Sequence, residues 1–418
     1  MDRRGFVKYM IAAGVLCPSA WAKMAKHPLA GLPLPKWREG HLRISMIYTG
    51  RSEAAFLVFP DGTSMLLDCG DYGLKPTADV PFLPDPSRRA GEQTARYVLH
   101  ENPNGRNVDY FLLTHYHSDH AGAPKYGAGR SRAGTHELSG IGEAIERLSF
   151  GRIIDRAWPE VDDPAPRPDD FDEATVGHVK EVYAEAVRRG TKIERFALEK
   201  GSRQIRMLHG GSAPFSCTPL CANGCILRRD GSVVDLGTSA TPRSKFGENA
   251  MSIGFVVSLG NFRYFTAGDF SGRVRKDDGG QANIEDVLAA EVPQVDVAKA
   301  NHHGCGSMPV SLAKALGARV YLAGYWHRRH MERDVMRRLS VSGRQCLYAP
   351  GFFPASRRTE EAGEDWMDEV APESFVGAHA VVDVVPDGSA YRLMMVTAAD
   401  ESWRILGAYD FATSKKGS

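Results

Sequence analysis

Thr114-His115-Tyr116-His117-Ser118-Asp119-His120 places three imidazoles and one carboxylate within six residues. It directly follows Val108-Asp109-Tyr110-Phe111-Leu112-Leu113, a short apolar run that reads as a buried strand. A strand that ends in a ligand-rich loop holds its ligands on a rigid element and leaves one side open to substrate. Imidazole and carboxylate together suit Zn²⁺ or a neighbouring first-row divalent ion. The stretch therefore points to a hydrolytic metal site, against the bland alternative of a polar turn with chance histidines.

Further candidate ligands follow at the ends of other expected strands. Asp269 closes Tyr264-Phe265-Thr266-Ala267-Gly268-Asp269, and His302 and His303 lie in Ala298-Lys299-Ala300-Asn301-His302-His303-Gly304. Asp68, in Leu66-Leu67-Asp68-Cys69-Gly70, ends another run and is read as a structural acceptor or one behind a ligand, rather than a direct ligand. Taken alone, a Gly-Asp pair is a common turn or helix cap. Its position downstream of the histidine cluster favours ligation.

The chain has 418 residues with 52 Lys and Arg against 51 Asp and Glu. That balance leaves no bulk basic field with which to hold nucleic acid. Near the start, Asp2-Arg3-Arg4-Gly5-Phe6-Val7-Lys8 precedes the short apolar segment Tyr9–Leu16 and then Ala20-Trp21-Ala22. A charged region, a short apolar region and a small-x-small site are the parts of an export signal. The paired arginines resemble those of a twin-arginine signal, which implies passage through that translocase, cleavage after Ala22, a periplasmic or other extracytoplasmic location and no stable membrane insertion afterwards. The apolar run is too short to span a bilayer.

Six cysteines remain beyond residue 22: Cys69, Cys217, Cys221, Cys225, Cys305 and Cys346. The Cys217-x3-Cys221-x3-Cys225 spacing departs from Cys-x2-Cys zinc knuckles, so one local disulfide or free thiols are favoured over a zinc site.

Periodicity divides the rest. Residues 1–22 form the signal and 23–40 a Pro-rich arm. Residues 41–398 form one hydrolase domain with inserted loops near 121–139 and 159–250, and 399–418 form a tail. Strands are expected over Leu42–Tyr48, Ala54–Phe59 and Ser64–Asp68 as a meander, then over 108–114, Ile205–Leu208, Ser252–Leu259, Phe262–Ala267, Val295–Ala300 and Arg319–Ala323. A final hairpin joins Val381–Val385 to Tyr391–Val396. Helices are expected over 140–150, Phe171–Arg189, Asn283–Ala290 and Val310–Leu316. Strand runs with interspersed helices suggest an α/β sandwich rather than a doubly wound sheet.

In order, these motifs resemble the metallo-β-lactamase superfamily, and within it the hydrolase domain of ComEC-type DNA-uptake channels and its stand-alone relatives. The resemblance runs over residues 41–396. It takes in Leu-Leu-Asp-x-Gly, His-x-His-x-Asp-His, Asn249-x-x-Ser252, Thr-Ala-Gly-Asp, Asn-His-His-Gly and Tyr325-Trp326-His327-x-x-His330. It implies an αββα sandwich of two mixed sheets with helices on the outer faces, holding one or two divalent ions, zinc first and manganese as the alternative. His115 and His117 would bind one ion, and Asp119, His120 and one of His302 and His303 the other. Asp269 would bridge them.

Two departures stand out. Where many relatives place a further histidine, this chain offers Asn249, a candidate substitute at the first site. Where the subgroup has Gly-Gln-Gly-Asp, it has Gly50-Arg51-Ser52-Glu53. The activity implied is cleavage of a phosphodiester, in a small molecule or a nucleic acid, by a metal-bound hydroxide. Asp119 would orient the hydroxide and His330 would be a candidate donor to the leaving group. Opening of a lactone, β-lactam or thioester on the same fold, and metal binding without turnover, are the competing readings. Oligomeric state stays open.

Overall fold

The computed structural model describes residues 23–73, 82–163, 167–168, 170–237, 242–275, 281–324, 330, 332–340, 347–349 and 377–414. The strands are β1 (Leu42–Met46), β2 (Ala55–Val58), β3 (Ser64–Leu67), β4 (Asn107–Leu113), β5 (Ser149–Asp155), β6 (Lys192–Arg195) and β7 (Phe215–Ala222). Next come β8 (Cys225–Leu227), β9 (Val233–Asp235), β10 (Gly254–Leu259), β11 (Phe262–Thr266), β12 (Arg273–Arg275) and β13 (Gln281–Asn283). The last are β14 (Val297–Lys299), β15 (Val320–Leu322), β16 (Leu347–Ala349), β17 (Ala378–Val384), β18 (Ala390–Thr397) and β19 (Ile405–Ala412). The helices are α1 (Ala90–Glu101), α2 (Ser118–Ala121), α3 (Ile141–Ala144), α4 (Glu173–Arg188), α5 (Ile284–Ala289), α6 (Val310–Leu316) and α7 (Arg333–Leu339).

Two mixed sheets result, ordered β19-β18-β17-β1-β2-β3-β4-β5-β6 and β16-β15-β14-β11-β10-β7-β8-β9, with β12 and β13 as a separate pair. In each sheet the parallel half (β3 to β6, and β11 with β14 to β16) needs crossover connections, and these carry the helices.

Alternation along the strands builds the layers. Leu42, Ile44, Met46, Leu57 and Leu112 of the first sheet meet Phe255, Val257, Tyr264 and Leu322 of the second in one shared core. On the outer face of the first sheet, Phe56, Val58, Phe111 and Ile153 pack with Tyr97 and Val98 of α1 and Val179 and Val182 of α4. On the outer face of the second, Val256, Phe265 and Tyr321 pack with Leu288, Leu312 and Met336 of α5, α6 and α7. Helices thus cover both outer faces of a two-sheet sandwich, and central strands are apolar on both faces. β1 departs from this, with Arg43 and Ser45 both buried on its other face. The Arg43 guanidinium is paired with Glu101 at 2.8 Å and Asp383 at 2.7 Å, as a buried charge requires.

Several expectations need correction. Residues 159–250 are not an inserted loop: they supply α4 and β6 to β9, and β7 lies inside the second sheet between β10 and β8. Pro219 makes that run look unlike a strand. The sheet accommodates it beside a register shift at Gly254/Phe255. Residues 399–418 are not simply a tail, because β19 within them pairs with β18 and ends the first sheet. Ile205–Leu208 forms no strand. It is held by side chains instead, with Tyr110 Oη donating to the carbonyls of Gln204 and Arg206 and Leu208 N donating to Thr63 Oγ1. The expected helix over 140–150 is limited to α3, since β5 already begins at Ser149. The 23–40 arm is tied down where Gly31 N donates to Ile405 O and Leu34 N to Trp403 O. The signal segment lies outside the described residues, and no described helix is long and apolar enough to cross a membrane.

Candidate metal centre

The ends of β3 and β4 are joined by one carboxylate. Asp68, just past β3 with φ at 56°, accepts from Thr114 N at 2.7 Å and Thr114 Oγ1 at 2.8 Å. The same carboxylate engages His120 Nδ1 at 2.8 Å. That bond points His120 Nε2 inward, where it is buried and faces Asp269. Close backbone approach makes this possible: a Cβ on Gly70 would sit 1.8 Å from the Asp119 carbonyl oxygen. Asp68 therefore ties Thr114 to His120 and faces away from the inner nitrogen of that imidazole.

His115 is oriented in the same way. Thr114 Oγ1 donates to Asp68, so at 3.0 Å from His115 Nδ1 it accepts that nitrogen's proton. His115 Nε2 then faces His117 Nδ1 at 3.2 Å, while His117 Nε2 is turned to Asp170 at 3.6 Å. Two ring nitrogens facing each other at this distance need a cation or a shared proton between them. The backbone between the two histidines is fixed by Glu248, which accepts from Tyr116 N at 2.9 Å and is held by both arms of Arg156 at 2.9 Å.

From the second sheet, Gly268 (φ 52°) turns the chain against Thr114, leaving space in which a Cβ would lie 2.9 Å from that side chain. Asp269 follows, its N donating to Ser252 Oγ at 3.1 Å. Its Oδ2 is 3.1 Å from His120 Nε2 and 3.0 Å from His303 Nε2. Asp119 Oδ2 is 3.4 Å from the same His303 nitrogen. On its far side, His303 Nδ1 meets Gly324 O at 2.9 Å and Glu53 Oε2 at 2.8 Å. Lys299, almost fully buried, sets Nζ between Glu53 Oε1 at 3.1 Å and Asp269 Oδ1 at 3.2 Å.

The donor set fits a divalent cation. Glu53, His120, Asp269 and His303 form a buried cluster able to hold a metal ion, their ligand atoms all within 4.8 Å of one another. Within it Glu53 lies behind the His303 ring, on Nδ1, so it orients rather than completes the set. Asp119 lies on the inner side. Protonation behaves accordingly. Burial opposes charge on His120 and His303, yet the surrounding Asp269, Asp68, Asp119 and Glu53 raise both well above the ordinary imidazole range. Burial would raise the carboxyls of Asp119 and Asp269, but the imidazoles beside them hold both below the usual carboxylate range. His115 is driven well down, first by burial and then by its histidine neighbours. The carboxylates that favour a proton on these imidazoles would equally favour a cation, so metal and proton compete for the same atoms.

The structure brings together His115, His117, Asp119, His120, Asp269 and His303. It separates His302 from His303. With left-handed φ values of 47° and 53°, the two rings diverge, and His302 Nδ1 faces Ser271 Oγ at 3.4 Å. His330 stacks on His303, ring centroids 4.8 Å apart. Tyr325, Trp326 and His327 lie outside the described residues. Asn249 Oδ1 is buried without a hydrogen bond. Glu53, Lys299 and Asp170 were not singled out as site residues from sequence. Glu53 and Lys299 did carry a signal, since each falls inside a motif segment quoted for other reasons. Asp170 carried none, lying in a polar loop. Cys69, Cys217, Cys221, Cys225 and Cys305 are free thiols.

No family model matches the chain. No curated protein matches it either. Among solved structures, it is similar to that of a "putative metal-dependent hydrolase" from Parabacteroides distasonis ATCC 8503, at 14% identity and a TM-score of 0.30, over 73% of this chain and 92% of that one. The functional reading rests on the side chains themselves.

Proposed function

We propose that this chain is a metal-dependent hydrolase of the metallo-β-lactamase fold, closest to the ComEC-type subgroup, that cleaves a phosphodiester. One observation carries the reading: His120 Nε2, His303 Nε2, Asp119 Oδ2 and Asp269 Oδ2 converge, each imidazole held from behind by a carboxylate. Supporting carboxylates of this kind fix ring tautomer and direction in metal centres. His115 and His117 form the second candidate pair, with Asn249 as a further oxygen donor and zinc or manganese as the ion. A divalent ion held there lowers the pKa of water and polarises the scissile group.

The chain's own residues divide the remaining work. Asp119 is the most open of the four converging groups, its side chain 18% exposed against 2% or less for His120, Asp269 and His303. We assign it to orient an attacking water or hydroxide. His330, over the ring of His303, would hold a proton for the leaving oxygen. Phosphodiester specificity is favoured by the Asn249 and His-His-Gly pattern. Export by the twin-arginine route is proposed from Arg3-Arg4 and the apolar segment after them.

The test is an assay of full-length protein reconstituted with Zn²⁺ or Mn²⁺ on bis(p-nitrophenyl) phosphate, nitrocefin and a simple lactone, with His120→Ala as control. Metal-dependent phosphodiester cleavage that His120→Ala abolishes is expected. Turnover of the lactone or nitrocefin without phosphodiester cleavage would overturn the substrate class.

A further inference from the structure

Lys299 is unusual among the groups around the centre. It is a lysine 1% exposed, and its ammonium is surrounded by four oxygens: Gly268 O at 2.6 Å, Glu53 Oε1 at 3.1 Å, and Asp269 Oδ1 and Ala300 O each at 3.2 Å. An ammonium has three protons to donate, so its capacity is used up. The two oxygens of Asp269 are thereby divided. Oδ1 faces the lysine, and Oδ2 faces the imidazoles of His120 and His303.

We propose that Lys299 is a positioning residue that sets the metal preference of the centre. By occupying Oδ1 of Asp269 it leaves a single carboxylate oxygen for the ion, which favours a small, nitrogen-bound ion such as Zn²⁺ over Mn²⁺. This rests on the reading of the cluster as a metal centre. Mn²⁺ prefers carboxylate, carbonyl and water oxygens in six-coordinate surroundings, which a carboxylate giving both oxygens helps to supply. Zn²⁺ is satisfied by four ligands with imidazole among them. For Asp269 to chelate through both oxygens, the ammonium would have to leave a buried position in which all its protons are engaged.

A plain ion pair is the competing explanation, and the two differ in what they alter. A positive charge beside the site weakens binding of every divalent ion by much the same factor, because Coulomb repulsion depends on charge and distance alone. Restricting Asp269 to one oxygen acts on the ratio of zinc to manganese affinity. The ratio, rather than either affinity, is the diagnostic quantity.

The experiment measures Zn²⁺ and Mn²⁺ affinities of the full-length apo-protein by chelator competition, for wild type and Lys299→Met. Circular dichroism serves as the check on folding. Because Lys299→Met leaves the buried Glu53 without its ammonium, the double variant Lys299→Met/Glu53→Gln is measured in parallel. Its amide oxygen can still accept from His303. The expected result is a shift of the affinity ratio toward manganese by about tenfold in a folded variant, the lower end of what second-sphere changes produce. An unchanged ratio in a folded variant overturns the proposal. If neither variant folds, the crystal structure of the zinc-loaded wild type decides. Asp269 bound through Oδ2 alone with Lys299 on Oδ1 supports it, and Asp269 bound through both oxygens overturns it. Failure of the wild type to bind either ion removes the metal centre itself, a result distinct from binding with an unchanged ratio.

Discussion

Glu53 Oε2 lies 2.8 Å from Nδ1 of His303, on the opposite side of the ring from Asp269. The carboxylate is almost fully buried, and Lys299 and His303 hold it ionised against the opposing effect of burial. Together with Gly324 O, which accepts from Nδ1 at 2.9 Å, it fixes which nitrogen of His303 points inward. Glu53→Ala is expected to lower metal affinity by about 10- to 100-fold, as loss of a carboxylate behind a ligating histidine does, with a smaller loss for Glu53→Gln. Chelator competition measures both. Equal losses would show that charge, and not the acceptor oxygen, is what matters.

Arg156 and Glu248 form a pair with side chains 0% and 1% exposed, and through Tyr116 N they fix the backbone between His115 and His117. Removing one partner leaves a buried charge uncompensated. Glu248→Ala should cost about 3–5 kcal/mol of folding stability, read from denaturant unfolding. A loss below about 1 kcal/mol, the range of exposed pairs, would mean water reaches the pair.

Glu285 is fully buried, and burial pushes its carboxyl up to about 8 even though Met308 N and Asn301 Nδ2 donate to it. Asn301 opens the turn that carries His302 and His303, so Glu285 braces that turn from behind. In the unfolded chain this carboxyl ionises near the ordinary value of about 4.3. Between that value and about 8 the folded state binds more protons, so stability falls as pH rises through this window. Glu285→Gln cannot titrate. Its stability relative to wild type should climb from about pH 4.5 to about pH 8 and level off beyond. Thermal melts of both proteins across this range provide the check, and a constant difference would contradict the assignment.

Removal of metal is expected to abolish turnover while leaving the fold. The sandwich is held by apolar cores of strand and helix side chains, whose packing needs no ion. Circular dichroism before and after dialysis against a chelator should be unchanged. Unfolding on chelation would instead identify a structural ion of the kind that holds zinc fingers together.

How much was legible from sequence follows from where each residue gets its role. His115, His117, Asp119 and His120 are contiguous and follow an apolar run, so strand period and ligand chemistry were enough to mark them. Asp269 and the 302/303 pair were marked by glycine turns at strand ends. Choosing His303 over His302 depends on two consecutive left-handed residues, which a sequence does not reveal. Glu53, Lys299 and Asp170 act through partners on distant elements. The first two fall inside quoted motif segments, but their charge alone assigns them no role, and Asp170 has no local mark at all. In the fold, the meander and β4 were readable from alternation. β7 was hidden by Pro219, and β19 by its position near the end of the chain.

The most direct measurement is calorimetric titration of Zn²⁺ into apo-protein for wild type, His303→Ala and His302→Ala. Geometry turns His303 into the cluster and His302 toward Ser271. The expected result is tight binding in wild type, retained in His302→Ala and largely lost in His303→Ala. Retention in His303→Ala with loss in His302→Ala would contradict the centre as described.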